Sequence, residues 1–229
     1  MEIKGLQKLT LLDYPEKMAC TVFLGGCNLR CPFCHNASLV LDGREVESIP
    51  DGELFSFLES RLGKLQGVCI SGGEPTMHRE LPALIEKIKS MGFLVKLDTN
   101  GTNPNMLEQL IETGLIDYVA MDIKSSREGY SRAVGIEGYN TEKIERSAAI
   151  LMQGRVDFEF RTTVVRELHT AADIESVGKW LAGGEKYYLQ SFIDSGDTIE
   201  NGFSAYSEAE MNELKSLLCK FIPLAQIRG

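Results

Sequence analysis

Three cysteines lie close together in the stretch GGCNLRCPFCHN, residues 25–36 of the sequence. Cys27, Cys31 and Cys34 follow the spacing C-x-x-x-C-x-x-C and place three thiols in one glycine-rich loop. Thiolates bind zinc and iron–sulfur clusters, and a structural zinc site closes with four ligands. Three thiolates around an iron–sulfur cluster leave one iron free to hold a small molecule. The spacing therefore predicts a metal centre with one open coordination position.

Zinc is the alternative to an iron–sulfur cluster at this loop. His35 would be the fourth ligand, but it directly follows Cys34, and adjacent residues rarely reach one metal with good geometry. The remaining cysteines, Cys20, Cys69 and Cys219, stand singly on strand or helix patterns, so we expect them to be core residues. The residues favour the cluster, and a non-catalytic zinc or electron-transfer module stays as an alternative.

The chain that must position this loop has 229 residues, of which 43% are hydrophobic and 25% charged. These values predict a single globular domain over residues 1–229, with a core over about 18–192 and a C-terminal helix over about 207–221. The net charge of −9 argues against broad binding to nucleic acid. With no apolar run of membrane-spanning length and no signal-peptide pattern, we expect a cytoplasmic protein without a membrane partner.

Strand-length apolar runs alternate with segments of helical period along most of the sequence. The helix boundaries carry recognisable signals: Asn103 before Pro104, Thr170 as an N-cap, and Ser207 with Glu210 as a capping box. The six predicted strands are 20–26, 67–73, 93–101, 117–124, 156–165 and 186–192.

The fold prediction follows from where polar residues fall. Strand and helix in alternation indicate an α/β protein with a parallel sheet, either doubly wound or curved towards a barrel. All six predicted strands end in residues that could form part of a functional site. A doubly wound sheet would need such residues only beside its switch point. We therefore predict a partial (β/α)6 TIM-like barrel, a curved parallel sheet with outer helices.

The cysteine loop resembles the signature of the radical S-adenosylmethionine (SAM) superfamily, including the aromatic Phe33 just before the third cysteine. The resemblance implies a 4Fe–4S cluster on Cys27, Cys31 and Cys34, with SAM on the open iron through its amino and carboxylate groups. In that superfamily the reduced cluster gives one electron to SAM, and the resulting 5′-deoxyadenosyl radical abstracts a hydrogen atom.

Two further stretches extend the resemblance to the SAM site. SGGEP at 71–75 resembles the glycine-rich motif of the superfamily, which implies that Gly72, Gly73 and Glu74 meet the SAM amino group. The sequence CHN at 34–36 implies that His35 and Asn36 lie near the adenine.

LDTNG at 97–101 and MDIK at 121–124 resemble a narrower group, the activating enzymes of glycyl radical enzymes, typified by pyruvate formate-lyase activating enzymes. The resemblance implies that Asp98, Thr99 and Asp122 hold a monovalent cation, Na⁺ or K⁺, beside the SAM carboxylate. Asn100 in the same stretch is expected to contact the cofactors.

Three more residues complete the expected SAM site. The resemblance implies that Lys124 and Arg161 meet the SAM carboxylate and ribose region. Gln190 stands where that group has a ribose-contacting histidine, and we expect it to supply the hydrogen bond instead.

The opening stretch LTLLDYPEKMACTVFLGGCNLRCPFCHN most resembles the activating proteins of anaerobic ribonucleoside-triphosphate reductases, in their longer form. This implies a glycyl radical enzyme, the anaerobic ribonucleotide reductase, as partner, and a flavodoxin or ferredoxin-type protein as reductant. The alternative is a radical SAM enzyme acting on a small molecule or short peptide, similar to 7-carboxy-7-deazaguanine synthases.

Overall fold

The computed structural model describes residues 1–41, 46–194, 196 and 198–228. Its strands form one sheet of eight, and their order in the sheet is their order in the chain. The first pair is antiparallel and every later pair is parallel. The strands are β1 (Ile3–Thr10), β2 (Ala19–Leu24), β3 (Gly67–Gly72), β4 (Leu94–Thr99), β5 (Tyr118–Asp122), β6 (Asp157–Val164), β7 (Tyr187–Ser191) and β8 (Gln226–Arg228).

Helices occupy the connections between the strands. Within the described ranges, none of them is long and apolar enough to cross a membrane. The helices are α1 (Ala37–Val40), α2 (Asp51–Ser60), α3 (Leu81–Ser90), α4 (Pro104–Glu112), α5 (Tyr130–Val134), α6 (Glu142–Leu151), α7 (Ala171–Trp180) and α8 (Glu208–Leu218), with a 3-10 turn at Pro75–Met77.

The predicted helix caps are present. The Asn103 side chain accepts a hydrogen bond from the Met106 amide, and Pro104 is the first residue of α4. Thr170 and Ser207 each form a capping box, at the starts of α7 and α8. These local bonds satisfy amides that a helix start leaves unpaired, which fixes where each crossover turns back to the sheet.

All six predicted strands are present, and the predicted α/β fold with the parallel sheet of a partial barrel is confirmed: the sheet is mostly parallel and does not close. The sheet also extends beyond the predicted core, because β1 and β8 add a strand on either side of it. In β1 the usual pattern is inverted: Leu9 is 56% exposed, whereas Lys4 is buried. Lys4 can be buried because its ammonium donates to the Val46 carbonyl at 2.7 Å and the Ser48 hydroxyl at 3.0 Å.

Candidate functional site

The cysteine loop follows β2 and is held against the end of β3. The Gly73 amide donates to the Leu24 carbonyl at 2.9 Å, and the Glu74 amide donates to the Gly26 carbonyl at 2.8 Å. A Cβ added at Gly73 would lie 1.9 Å from the Gly26 oxygen, so only glycine allows the two segments to approach this closely. Gly72 and Gly73, at the end of β3, therefore fix the position of the loop.

Cys27, Cys31 and Cys34 all line one cavity. Burial raises the pKa of the Cys31 thiol to about 12 and also raises the pKa of Cys27. The Leu29 amide and the Asn100 side-chain amide lie 3.4 Å and 3.7 Å from the Cys27 Sγ, as donors to it. Such buried thiols become thiolates when a metal binds them, and the two donors are placed to stabilise the charge on Cys27.

A cluster and a single zinc ion place different demands on the three thiols. Among the residues that the structure describes, no three His, Cys, Asp or Glu side chains are close enough to hold one metal ion. A cluster binds each thiolate through a different iron, so its ligands need not converge on one point. Three thiols that line one cavity are compatible with that requirement.

The cavity has a volume of about 590 Å³ and collects the ends of successive parallel strands. Every predicted site residue except Glu74 lines it. These residues are Cys27, Cys31, Phe33, Cys34, His35, Asn36, Gly72, Gly73, Asp98, Thr99, Asn100, Asp122, Lys124, Arg161 and Gln190.

Glu74 departs from the expectation that it meets the SAM amino group directly. Its side chain is fully buried, and its carboxylate accepts hydrogen bonds from the Thr99 hydroxyl at 2.8 Å and the Asn100 amide at 2.6 Å. It also accepts from both the amide and the hydroxyl of Thr76. Burial raises the pKa of Glu74 even though these donors favour its charged form. In this geometry Glu74 ties β3 to β4 beneath the cavity and is absent from the cavity wall.

The aromatic and amide groups near the cysteines are fixed by specific contacts. The His35 Nε2 lies 2.7 Å from the Ile193 carbonyl oxygen, and its ring stacks on Phe192 with centroids 5.3 Å apart. The Asn36 side chain donates to the Gly72 carbonyl at 2.9 Å. These contacts join the cysteine loop to the ends of β3 and β7.

A chain of charged side chains crosses the cavity from β4 to β6. Arg161 on β6 donates to Asp122 at 2.9 Å and to Asp98 at 3.3 Å. Lys124 donates to Asp122 at 3.1 Å, and Lys96 forms an ion pair with Asp98. Burial alone would raise the carboxyl pKa values, but Arg161 and its neighbouring lysines outweigh it, lowering the pKa of Asp98 and bringing that of Asp122 to about 2. Both aspartates are therefore ionised and paired.

The expected cation ligands do not offer free oxygens to Na⁺ or K⁺. Asp98 and Asp122 are paired with lysine and arginine, as described above. The Thr99 hydroxyl donates to Glu74 and accepts from the Gly101 amide at 3.1 Å. Hard monovalent cations require oxygen ligands, so the predicted ion does not fit this arrangement of side chains.

Several residues that are not among the predicted site residues line the cavity or support it. Ser71, Asp13 and Arg228 line the cavity. The Ser71 hydroxyl donates to Asp98 at 3.2 Å. His169 lies behind the wall: its Nδ1 accepts from the Val165 amide, so its Nε2 carries the proton and donates to the Lys124 carbonyl at 2.7 Å.

The sequence is similar to those of several known proteins. The family model described as the radical SAM superfamily matches residues 21–180. The protein MJ1227 of Methanocaldococcus jannaschii, provisionally named a glycyl-radical enzyme activating enzyme, is 35% identical over 222 residues, which cover 94% of this chain and 89% of that protein. A 7-carboxy-7-deazaguanine synthase of Aquifex aeolicus is 43% identical over 82 residues, 34% of either chain.

Comparison with solved structures supports the fold. A crystal structure of a domain of pyruvate-formate lyase-activating enzyme from Bacteroides vulgatus has a TM-score of 0.57 and 17% sequence identity. The match covers 71% of this chain and 99% of that one. At this identity the likeness bears on the α/β architecture alone.

Proposed function

Because this chain belongs to the radical SAM superfamily, we propose that it is the activating enzyme of a glycyl radical enzyme and removes a hydrogen atom from a glycine of that partner. The observation that carries the proposal is the match over nearly the whole chain with a relative named provisionally as such an enzyme. The cavity supports it, since three thiols share one wall with the polar ends of the parallel strands.

The cavity residues take complementary parts in this proposal. When bound, the cluster and SAM supply the one-electron chemistry that yields a 5′-deoxyadenosyl radical able to take a hydrogen atom. Cys27, Cys31 and Cys34 would hold the cluster. Lys124 and Arg161 present positive charge to the SAM carboxylate, which favours one orientation of the molecule.

The partner we propose is an anaerobic ribonucleotide reductase, on the resemblance of the opening stretch of the sequence to its activating proteins. A flavodoxin or ferredoxin-type protein would supply the electron. The cytoplasmic location stays a prediction from the sequence.

A second candidate function is radical chemistry on a small molecule. The local identity of 43% with a 7-carboxy-7-deazaguanine synthase favours it, although the match covers only 34% of the chain. Under this alternative, the cavity would receive a heterocyclic substrate directly and no protein partner would be needed.

Electron paramagnetic resonance separates the two candidates. Protein loaded anaerobically with iron and sulfide, reduced, and mixed with SAM and an anaerobic ribonucleotide reductase should produce a glycyl radical signal on the reductase. Cys31→Ala should abolish both iron binding and the signal. Cys219→Ala is the matched control, because Cys219 does not line the cavity, and it should retain both.

The outcomes have distinct meanings. Release of 5′-deoxyadenosine without a glycyl radical would contradict the proposed partner and favour the small-molecule candidate. A protein that binds stoichiometric zinc and no iron would contradict the chemistry as a whole.

A further inference from the structure

Lys96 places a positive charge inside the barrel, where a strand pattern would normally place an apolar residue. It lies on β4, two residues before Asp98, so both side chains extend from the same face of the strand. Lys96 is only 1% exposed. A buried ammonium is stable only when a partner compensates its charge, and here that partner is Asp98.

The carboxylate oxygens expected to bind a metal cation are already engaged by cationic side chains. Lys96 contacts Asp98 Oδ1, and Arg161 lies 3.3 Å from Asp98 Oδ2. On Asp122, Arg161 contacts Oδ1 at 2.9 Å and Lys124 contacts Oδ2 at 3.1 Å. Each of the four oxygens thus has its own nitrogen partner.

The charges of these five side chains favour the binding of an anion rather than of another cation. Lys96, Arg161 and Lys124 carry three positive charges against the two negative charges of Asp98 and Asp122. Within this group of five side chains one positive charge is left over, which suits the carboxylate of SAM. A further cation would add repulsion in a partly desolvated space, where opposing charges are poorly screened.

We propose that the Lys96 ammonium takes the place of the monovalent cation, so that SAM binding to this protein requires neither Na⁺ nor K⁺. The inference rests on the proposed function, because it assumes that SAM occupies the cavity. Lys96 acts through Asp98 and is a positioning residue: it keeps Asp98 neutralised, which leaves Arg161 and Lys124 available to the ligand.

Equilibrium dialysis of SAM against the oxidised, cluster-loaded protein tests this without turnover. The wild-type dissociation constant should change less than about twofold when choline chloride is replaced by NaCl or KCl at constant ionic strength, because screening by each salt is then the same. A requirement for Na⁺ or K⁺ in the wild-type protein would overturn the inference.

Lys96→Met removes the charge while keeping an unbranched side chain. In choline chloride it should weaken SAM binding by about tenfold, the loss expected when one modest charge interaction is removed. In KCl the binding should recover to within about threefold of wild type, since K⁺ can then reach Asp98. Lys96→Arg should keep binding independent of the cation.

Lys89→Met is the matched control. Lys89 also forms a salt bridge, at 2.7 Å to Asp117, but neither residue lines the cavity. It should bind SAM like the wild-type protein in every salt. If Lys96→Met does not fold, the wild-type titration still decides the question.

Failure of the inference and failure of the proposed function look different. Tight, cation-independent SAM binding by Lys96→Met would overturn the inference alone. No SAM binding by the wild-type protein in any salt would overturn the proposed function, and the inference with it.

Discussion

Asn100 connects the cysteine loop to the end of β4. Its side-chain amide donates to the Asn28 oxygen at 3.1 Å and lies 3.7 Å from the Cys27 Sγ. Its own oxygen accepts from the Thr102 hydroxyl at 2.7 Å, and Asn28 donates to the same hydroxyl at 2.9 Å. This closed set of polar contacts fixes the orientation of the amide, so that its nitrogen faces the thiol.

We expect Asn100→Ala to lower the reduction potential of the bound cluster. Hydrogen bonds to cluster sulfurs stabilise the more negative, reduced form. Loss of one bond of about 1 kcal/mol corresponds to roughly 40 mV for one electron. A spectroscopic redox titration measures the shift, with the exposed Asn212→Ala on α8 as control; equal potentials in the two variants would contradict this role.

The site residues that could be predicted from the sequence are those whose spacing is local. The three cysteines and the glycine pair Gly72 and Gly73 are examples, because a loop and a strand end need only neighbouring residues. Lys96 was not predicted, since a lysine within a strand normally indicates a solvated position, and its burial depends on its ion pair with Asp98 and on the strands β3 and β5 that flank it. The burial of Glu74 could not be predicted from residues 71–75 alone, because it depends on contacts with Thr99 and Asn100 at the end of β4.

At the scale of elements, the short strand β8 supplies the partner of a carboxylate that is buried on a neighbouring part of the sheet. It pairs with β7, and Arg228 on it makes two hydrogen bonds to Glu159 on β6, at 2.8 Å and 3.1 Å. Glu159 is fully buried and also accepts from the Tyr118 hydroxyl at 3.0 Å. A three-residue strand therefore neutralises a carboxylate at the centre of the barrel.

Arg228→Ala should lower the free energy of unfolding by about 2 kcal/mol, because it leaves a buried carboxylate without its cation. The value is below that for fully buried pairs, since the Arg228 side chain is 33% exposed. Urea unfolding measures it. Arg155→Ala is the control, because Arg155 pairs with glutamates on the exposed face of α4 and its loss should cost less than about 0.5 kcal/mol.

The elements missed by the sequence reading share a physical reason. The strand β8 is too short for any period to be recognised, and β1 carries an exposed leucine and a buried lysine, the reverse of a half-buried strand. The helix α5 has only five residues and lies in the stretch 125–140, which has several glycines. Helices such as α4 and α8 were predictable because the residues that cap them are local signals.

At the scale of the whole molecule, the charged side chains of the cavity join β4, β5 and β6. The backbone hydrogen bonds of the sheet join the same three strands. The carboxylates of Asp98 and Asp122 are paired with lysine and arginine side chains, some of which lie on other strands. Protonation of these carboxylates therefore weakens contacts between strands. The molecule should therefore be sensitive to acid at this site rather than only at its surface.

The stability of the metal-free protein should fall as the pH drops from 4 to 2. Burial would raise the pKa of Asp122, but Arg161 and Lys124 lower it to about 2 from an ordinary value of 3.8. Because the pKa of Asp122 is lower in the folded state than in the unfolded state, its ionised form stabilises the folded state at pH values above 3.8. This contribution, about 2 kcal/mol, is lost as the pH falls towards 2.

Urea unfolding across this pH range is the measurement, comparing wild type with Asp122→Asn. The variant should lack this part of the acid dependence, while Asp157→Asn, at an exposed position, should retain it. Parallel profiles for wild type and Asp122→Asn would contradict the assignment.

The strand order has a consequence for synthesis of the chain. Since each strand lies beside the one made just before it, the sheet can grow edge by edge as the polypeptide leaves the ribosome. Glu159 emerges 69 residues ahead of the arginine that neutralises it. Until β8 arrives, the buried Glu159 carboxyl therefore lacks its arginine partner, and a stalled chain ending before β8 should be cut by proteases more readily than a chain that includes it.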